Sequence, residues 1–113
     1  MQLIQSLFAL AIVATTANAF HGDGTYFAPG LGACGQWNGD NDLIVALSVD
    51  KYGDGSNCGR KIRIYCKYKL TVDATAVDKC PGCGPDDIDL SPAAFSRLAN
   101  QDLGRIKLDW HFI

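Results

Sequence analysis

Between residues 77 and 90 the chain reads Val-Asp-Lys-Cys-Pro-Gly-Cys-Gly-Pro-Asp-Asp-Ile-Asp-Leu, which sets Asp78 and Asp89 at either end of a turn rich in Gly, Pro and Cys. Two carboxylates held by a stiff loop suit proton transfer and hydroxyl binding, the chemistry a glycosidic bond asks of its neighbours. Aspartate also serves in ordinary turns and helix caps, so the pair needs support from the rest of the chain. Trp37, flanked by Gln36 and Asn38, is placed either to stack on a sugar ring or to pack inward, and Tyr52 is a second aromatic in a polar stretch. The Cys80-x-x-Cys83 pair lies in a Gly/Pro turn with no second ligand pair, which favours a disulfide over zinc or redox chemistry. Asp50, Asp54 and Asn57 lack the spacing and closing Glu of a calcium loop. His21 is expected to be disordered near the mature N-terminus, and His111 to be solvated.

Short strands must hold these residues. Residues 24–28 are β-formers, ended by Pro29-Gly30-Leu31-Gly32. The apolar run 43–49 has strand length and reads as buried on both faces. Residues 61–66 alternate with Ile62, Ile64 and Cys66 inward, and residues 70–77 alternate with Val72, Ala74 and Ala76 inward. In the last strand Ile106, Leu108, Trp110 and Phe112 face the core, opposite Arg105, Lys107, Asp109 and His111. One short helix is expected behind Asp89, capped by Ser91, with Pro92 at its first position and residues 93–99 following. Residues 50–59 read as a loop. Short strands, Gly-rich turns and one helix suggest a closed barrel, which leaves no strand edge exposed.

The first residues bound the compartment. Residues 7–14 form an apolar run shorter than the ~20 residues of a membrane span, and Ala17-x-Ala19 follows it as a signal-peptidase site. Residues 1–19 are therefore read as a signal peptide, and residues 20–113 as one secreted, extracellular domain. Small domains of this kind rely on covalent staples. Five cysteines imply disulfides with one thiol left over. A net charge of −2 with scattered Lys and Arg offers neither a stripe for nucleic acid nor a polybasic membrane patch. No cofactor or metal is expected.

Five motifs then occur in order: Gly24-Thr25-Tyr26-Phe27, Gly32-Ala33-Cys34-Gly35, Asn57-Cys58-Gly59, Val77-Asp78-Lys79-Cys80-Pro81, and the stretch from Ile88 through Asp89 to Phe95. Together they resemble the double-psi β-barrel superfamily of barwin, the first expansin domain, rare lipoprotein A, family-45 endoglucanases and kiwellins. Short single-domain fungal expansin-like proteins, the loosenins, are especially similar. The resemblance implies an all-β fold: a six-stranded double-psi β-barrel, disulfide-stapled, with one short helix after the second aspartate.

By motif position, Asp89 corresponds to the endoglucanase proton donor, Asp78 to the second expansin aspartate, and Thr25 and Tyr26 to the polar-aromatic pair of the first strand. The expected substrate-binding set is Thr25, Tyr26, Trp37, Asp78 and Asp89, with both aspartates over one floor and close enough to disfavour double ionisation. Where the endoglucanases keep a catalytic base this chain has Tyr26-Phe27-Ala28, and Asp23 is read as lying before the strand. Without a base to activate water, the resemblance implies a non-enzymatic protein that loosens cellulose, chitin or peptidoglycan without hydrolysis. A protein-binding module, as protease inhibitor or effector, is the alternative, and a weak glycosidase the third reading. A monomer is expected. The resemblance also implies a Cys34–Cys58 bridge. Cys80 pairs either with Cys83 or one of the two with Cys66, and Cys66 is the candidate free thiol.

Overall fold

The computed structural model describes residues 19–67 and 69–113, so that the signal-peptide reading at residues 1–19 falls, but for Ala19, outside them. Six strands form a closed barrel: β1 (Phe20–Tyr26), β2 (Ile44–Ser48), β3 (Lys61–Cys66), β4 (Thr71–Cys80), β5 (Ile88–Leu90) and β6 (Ile106–Phe112). Around the barrel the order is β1-β5-β2-β4-β3-β6. β1 runs parallel to β5 and β2 parallel to β4, while the other neighbours are antiparallel. Because β5 stands between β1 and β2, and β2 between β4 and β5, the connections 27–43 and 81–87 each link strands that are not neighbours.

Alternation selects the interior. Val45 and Leu47, Ile62 and Ile64, Val72, Ala74 and Ala76, Ile88 and Leu90, and Leu108 and Trp110 point one way and form one buried cluster. Trp110 is fully buried, packs 4.6 Å from the Phe20 ring, and donates its indole N–H to the Asp86 carbonyl at 2.9 Å. That bond supplies the partner a buried indole needs and fixes the β4–β5 turn to the core. Lys51 Nζ caps the same region, paired with Asp86 at 2.9 Å and lying 4.5 Å from the Phe20 ring centre.

The structure differs from the sequence reading in four places. β1 begins at Phe20, so His21 is ordered within it and bonds Asp109 at 2.6 Å. Asp23 likewise lies inside β1. The 50–59 segment opens with a helical turn, α1 (Val49–Tyr52), whose first free amides are met by the Ser48 hydroxyl accepting from Lys51 N–H. Finally, the two aspartates flank the turn from within strands, since β4 runs on to Cys80 and β5 begins at Ile88. The expected helix is present as α2 (Pro92–Ser96), with Ser91 accepting from Ala94 N–H, but it stops short of residue 99.

Two disulfides close the irregular segments, Cys34–Cys58 and Cys80–Cys83, and Cys66 is a buried free thiol. Chain-entropy reasoning assigns about 3.5 kcal/mol to Cys34–Cys58, which joins positions 24 residues apart, and about 2 kcal/mol to Cys80–Cys83, 3 residues apart. Replacing both members of the first pair by serine should therefore lower the unfolding free energy more than replacing both members of the second. Urea denaturation of the two double variants measures the difference, and a larger loss from the short bridge would contradict the loop-closure account.

Candidate functional site

A single row of residues crosses four strands. Thr25 on β1 pairs with Asp89 on β5, Asp89 with Ala46 on β2, and Ala46 with Asp78 on β4. Ala46 lies between the inward Val45 and Leu47, so the row occupies the outer face of the barrel. Ala46, itself buried, lies between the two carboxylates, which are two strands apart, about 10 Å across the sheet.

Asp78 reaches this face because the ladder slips. Val45 pairs with Ala76 but Ala46 pairs with Asp78, so Val77 is an extra residue on β4. Strict alternation after Ala74 and Ala76 would have turned Asp78 into the core, and one inserted residue reverses it. The Val77 carbonyl, released from regular pairing, accepts from Cys34 N–H at 3.1 Å. Asp78 Oδ1 accepts from Ala33 N–H and Lys79 N–H, both at 2.8 Å. Gly32 permits this docking: a Cβ there would lie 2.4 Å from the Val77 carbonyl oxygen, so only glycine lets the loop come so close.

Asp89 is different. It is half-buried, and Oδ1 accepts the Thr25 hydroxyl at 2.9 Å. Burial raises its pKa, opposed by the Thr25 hydrogen bond and by the positive charge of Arg105, with the Asp78 charge adding the smallest upward push. The expected repulsion between the two aspartates is thus a minor contribution, because a whole strand separates them. Burial is the main cause.

Tyr26 departs from the row. As the next residue along β1 it faces the other way, with its ring 4.8 Å from the Phe95 ring and its hydroxyl donating to the Gln101 carbonyl at 3.0 Å. It braces the turn Gln101–Leu103 instead of lying on a floor shared with Thr25. Trp37 is 76% exposed and bridges to Leu31, itself 58% exposed, in the loop that carries Ala33 to Asp78. Packing inward is therefore the wrong choice for Trp37. Tyr52 leans on that loop, its hydroxyl 3.3 Å from the Ala33 carbonyl.

Two contributors escape the sequence reading. The Ala33 amide carries no side-chain signature. Arg105 stands at the head of β6, where the β1–β6 register, continued one step past Gly24↔Ile106, sets it level with Thr25. Its place on the polar face of an alternating strand was the available signal. Asp23 is held by Lys107 at 2.8 Å and Arg105 at 3.1 Å. The Lys107 contact foremost, aided by Arg105, depresses its pKa. Among the described residues no three or more His, Cys, Asp or Glu side chains gather as metal ligands would.

Comparison with known proteins agrees with this architecture. Residues 44–110 match the double-psi β-barrel family described as lytic transglycolase. An EG45-like domain containing protein of Citrus jambhiri is 29% identical over 96% of this chain and 93% of its own length. The solved Streptomyces papain inhibitor is 29% identical with a TM-score of 0.78, covering 88% of this chain and 97% of that one. An expansin of Clavibacter michiganensis, crystallised as a mutant with cellohexaose, also superposes with a TM-score of 0.78 at 24% identity, but this chain spans only 50% of it. With the family match covering more than half its length, the chain belongs to the double-psi β-barrel family that includes the EG45-like and expansin-like proteins.

Proposed function

We propose that this is a secreted, expansin-like protein that binds and loosens a cell-wall polysaccharide through the Thr25–Asp89–Ala46–Asp78 row, without cleaving it. The observation that carries the reading is the row itself, one hydroxyl and two carboxylates aligned on one face of the barrel. The exposed Leu31 and Trp37 belong to the loop docked on Asp78, and an exposed indole suits stacking on a pyranose face. Cellulose, chitin and peptidoglycan strands all present alternating hydroxyls and apolar ring faces to such a surface. The expansin bound to cellohexaose supports the reading as a protein of the same fold.

Hydrolysis lacks a base. Asp23 is the carboxylate that β1 does carry, but two cations hold it and depress its pKa, which makes it a weak proton acceptor. An ionised Asp89 accepts from a sugar hydroxyl in a charge-assisted bond about twice as strong as a neutral one. That competes with bonds between polymer chains and does not activate water.

Asp89→Asn should abolish binding to insoluble polysaccharide, and wild-type supernatants should contain no new reducing ends. Pull-down with a reducing-sugar assay reads both, and sugar release that vanishes in the variant would establish an enzyme instead. The fold should survive. Because burial raises the Asp89 pKa, the folded chain holds that proton more tightly than the unfolded one. Asp89 therefore lowers stability as pH rises through the interval between its ordinary and raised values, and the full cost remains above it. Asp89→Asn should match or exceed wild-type stability at neutral pH, whereas a marked loss would make Asp89 structural.

Gly32→Ala should weaken polysaccharide binding several-fold by lifting Ala33 from Asp78, with the Ala33 amide shifting in the NMR spectrum. Unchanged binding together with a moved amide would remove Asp78 from the site.

A second reading rests on the papain inhibitor, which this chain matches along nearly its full length. In that case the chain binds a protease through its projecting loops, and the aspartate row is incidental. Inhibition of papain by wild type and by Asp89→Asn alike, with no polysaccharide retained, would favour it.

A further inference from the structure

The row does not end at Thr25. We infer that Arg105, level with Thr25 at the head of β6, is the specificity-determining residue of the groove and selects a glycan that carries carboxylate groups. The inference rests on the polysaccharide-binding reading of the same row.

Three observations carry it. The first is position: Arg105 continues the sequence Asp78, Ala46, Asp89, Thr25 by one more strand. Its positive charge opposes the upward shift of the Asp89 pKa. The second is a fixed backbone. Tyr26 holds the Gln101 carbonyl, Gly104 takes a left-handed φ of 68°, and Arg105 N–H donates to the Leu103 carbonyl at 2.7 Å. The Cα of Arg105 is therefore anchored while its side chain is 61% exposed.

The third is a spare positive charge. Arg105 and Lys107 share one carboxylate, Asp23, at 3.1 and 2.8 Å. Both cations are exposed, and an exposed ion pair is worth only about 0–1 kcal/mol. If Arg105 turns to a ligand, Asp23 keeps Lys107 as its partner, so the exchange strands no charge. A planar guanidinium binds a carboxylate through two parallel hydrogen bonds, a geometry that a neutral hydroxyl cannot match. Sugar carboxylates arise either on the ring, as in uronic acids, or on a substituent, as in peptide-bearing wall glycans.

Calorimetric titration of the whole protein with cellohexaose, an oligogalacturonate and a muropeptide fragment tests this and separates the two sources. Wild type should prefer at least one acidic probe to cellohexaose, and that preference should weaken as salt is added. Arg105→Gln should reduce the acidic-to-neutral affinity ratio about tenfold, while Arg97→Gln, exposed and outside the row, leaves the ratio as it is. Asp23→Asn, which removes the competitor for Arg105, should raise acidic-probe affinity. Equal or stronger binding of cellohexaose by wild type would overturn the inference and leave the polysaccharide reading standing. A preference that survives Arg105→Gln, or falls in Asp23→Asn, would do the same. Failure of all three probes to bind would instead overturn the polysaccharide reading and this inference with it.

Discussion

The register between β2 and β4 is the constraint from which the site follows. Sheet geometry allows a side chain two positions, in or out, and a slip of one residue exchanges them for everything downstream. Val77 supplies that slip. Upstream of it Val72, Ala74 and Ala76 fill the barrel, while downstream Asp78 stands on the outer face opposite Ala46. The same irregularity turns the Val77 carbonyl toward the 27–43 crossover, whose Cys34 amide it accepts. One extra residue thus both exposes a carboxylate and recruits the loop that holds it.

What surrounds each carboxylate then sets its chemistry. Asp78 is pinned by two backbone amides on one oxygen, which fixes its direction before any ligand arrives. Asp89 has a single hydroxyl partner and is pushed toward its neutral form by burial. The row therefore carries one rigid acceptor and one adjustable group. The Cys34–Cys58 bridge keeps the rigid partner rigid, because it ties the loop bearing Ala33 to the segment next to β3.

Much of the barrel was legible because alternation is a local signal. The inward sets of β3, β4 and β6 and the Ser91-Pro92 helix start are visible residue by residue. Other features were not legible, for identifiable reasons. β5 has three residues, too few for a period to emerge, and its Asp89 reads equally as a turn residue. The Val77 bulge changes no residue type and shows itself only when Ala46 finds its partner. His21 was expected to be disordered because it lies near the mature N-terminus, and Asp23 to precede the first strand, yet pairing with β6 places both inside β1. Arg105 is one of several polar residues on β6 until the register sets it level with Thr25. Conversely, the order of five short motifs led to the family when no single element would have done so.

On the proposed reading, the row also bears on how a chain with two aspartates would bind sugar without cutting it. Separation alone does not forbid cleavage, since about 10 Å between strands approaches the ~6.5–9.5 Å spacing of inverting carboxylates. Direction does. Displacement at an anomeric carbon needs the acid on one side of the ring and the base or nucleophile on the other. Asp78 and Asp89 rise from the same face of the same sheet, so a glycan laid along the row meets both from below. On the proposed reading, that arrangement holds successive sugars along a polymer, where many modest contacts suffice and no single bond is strained.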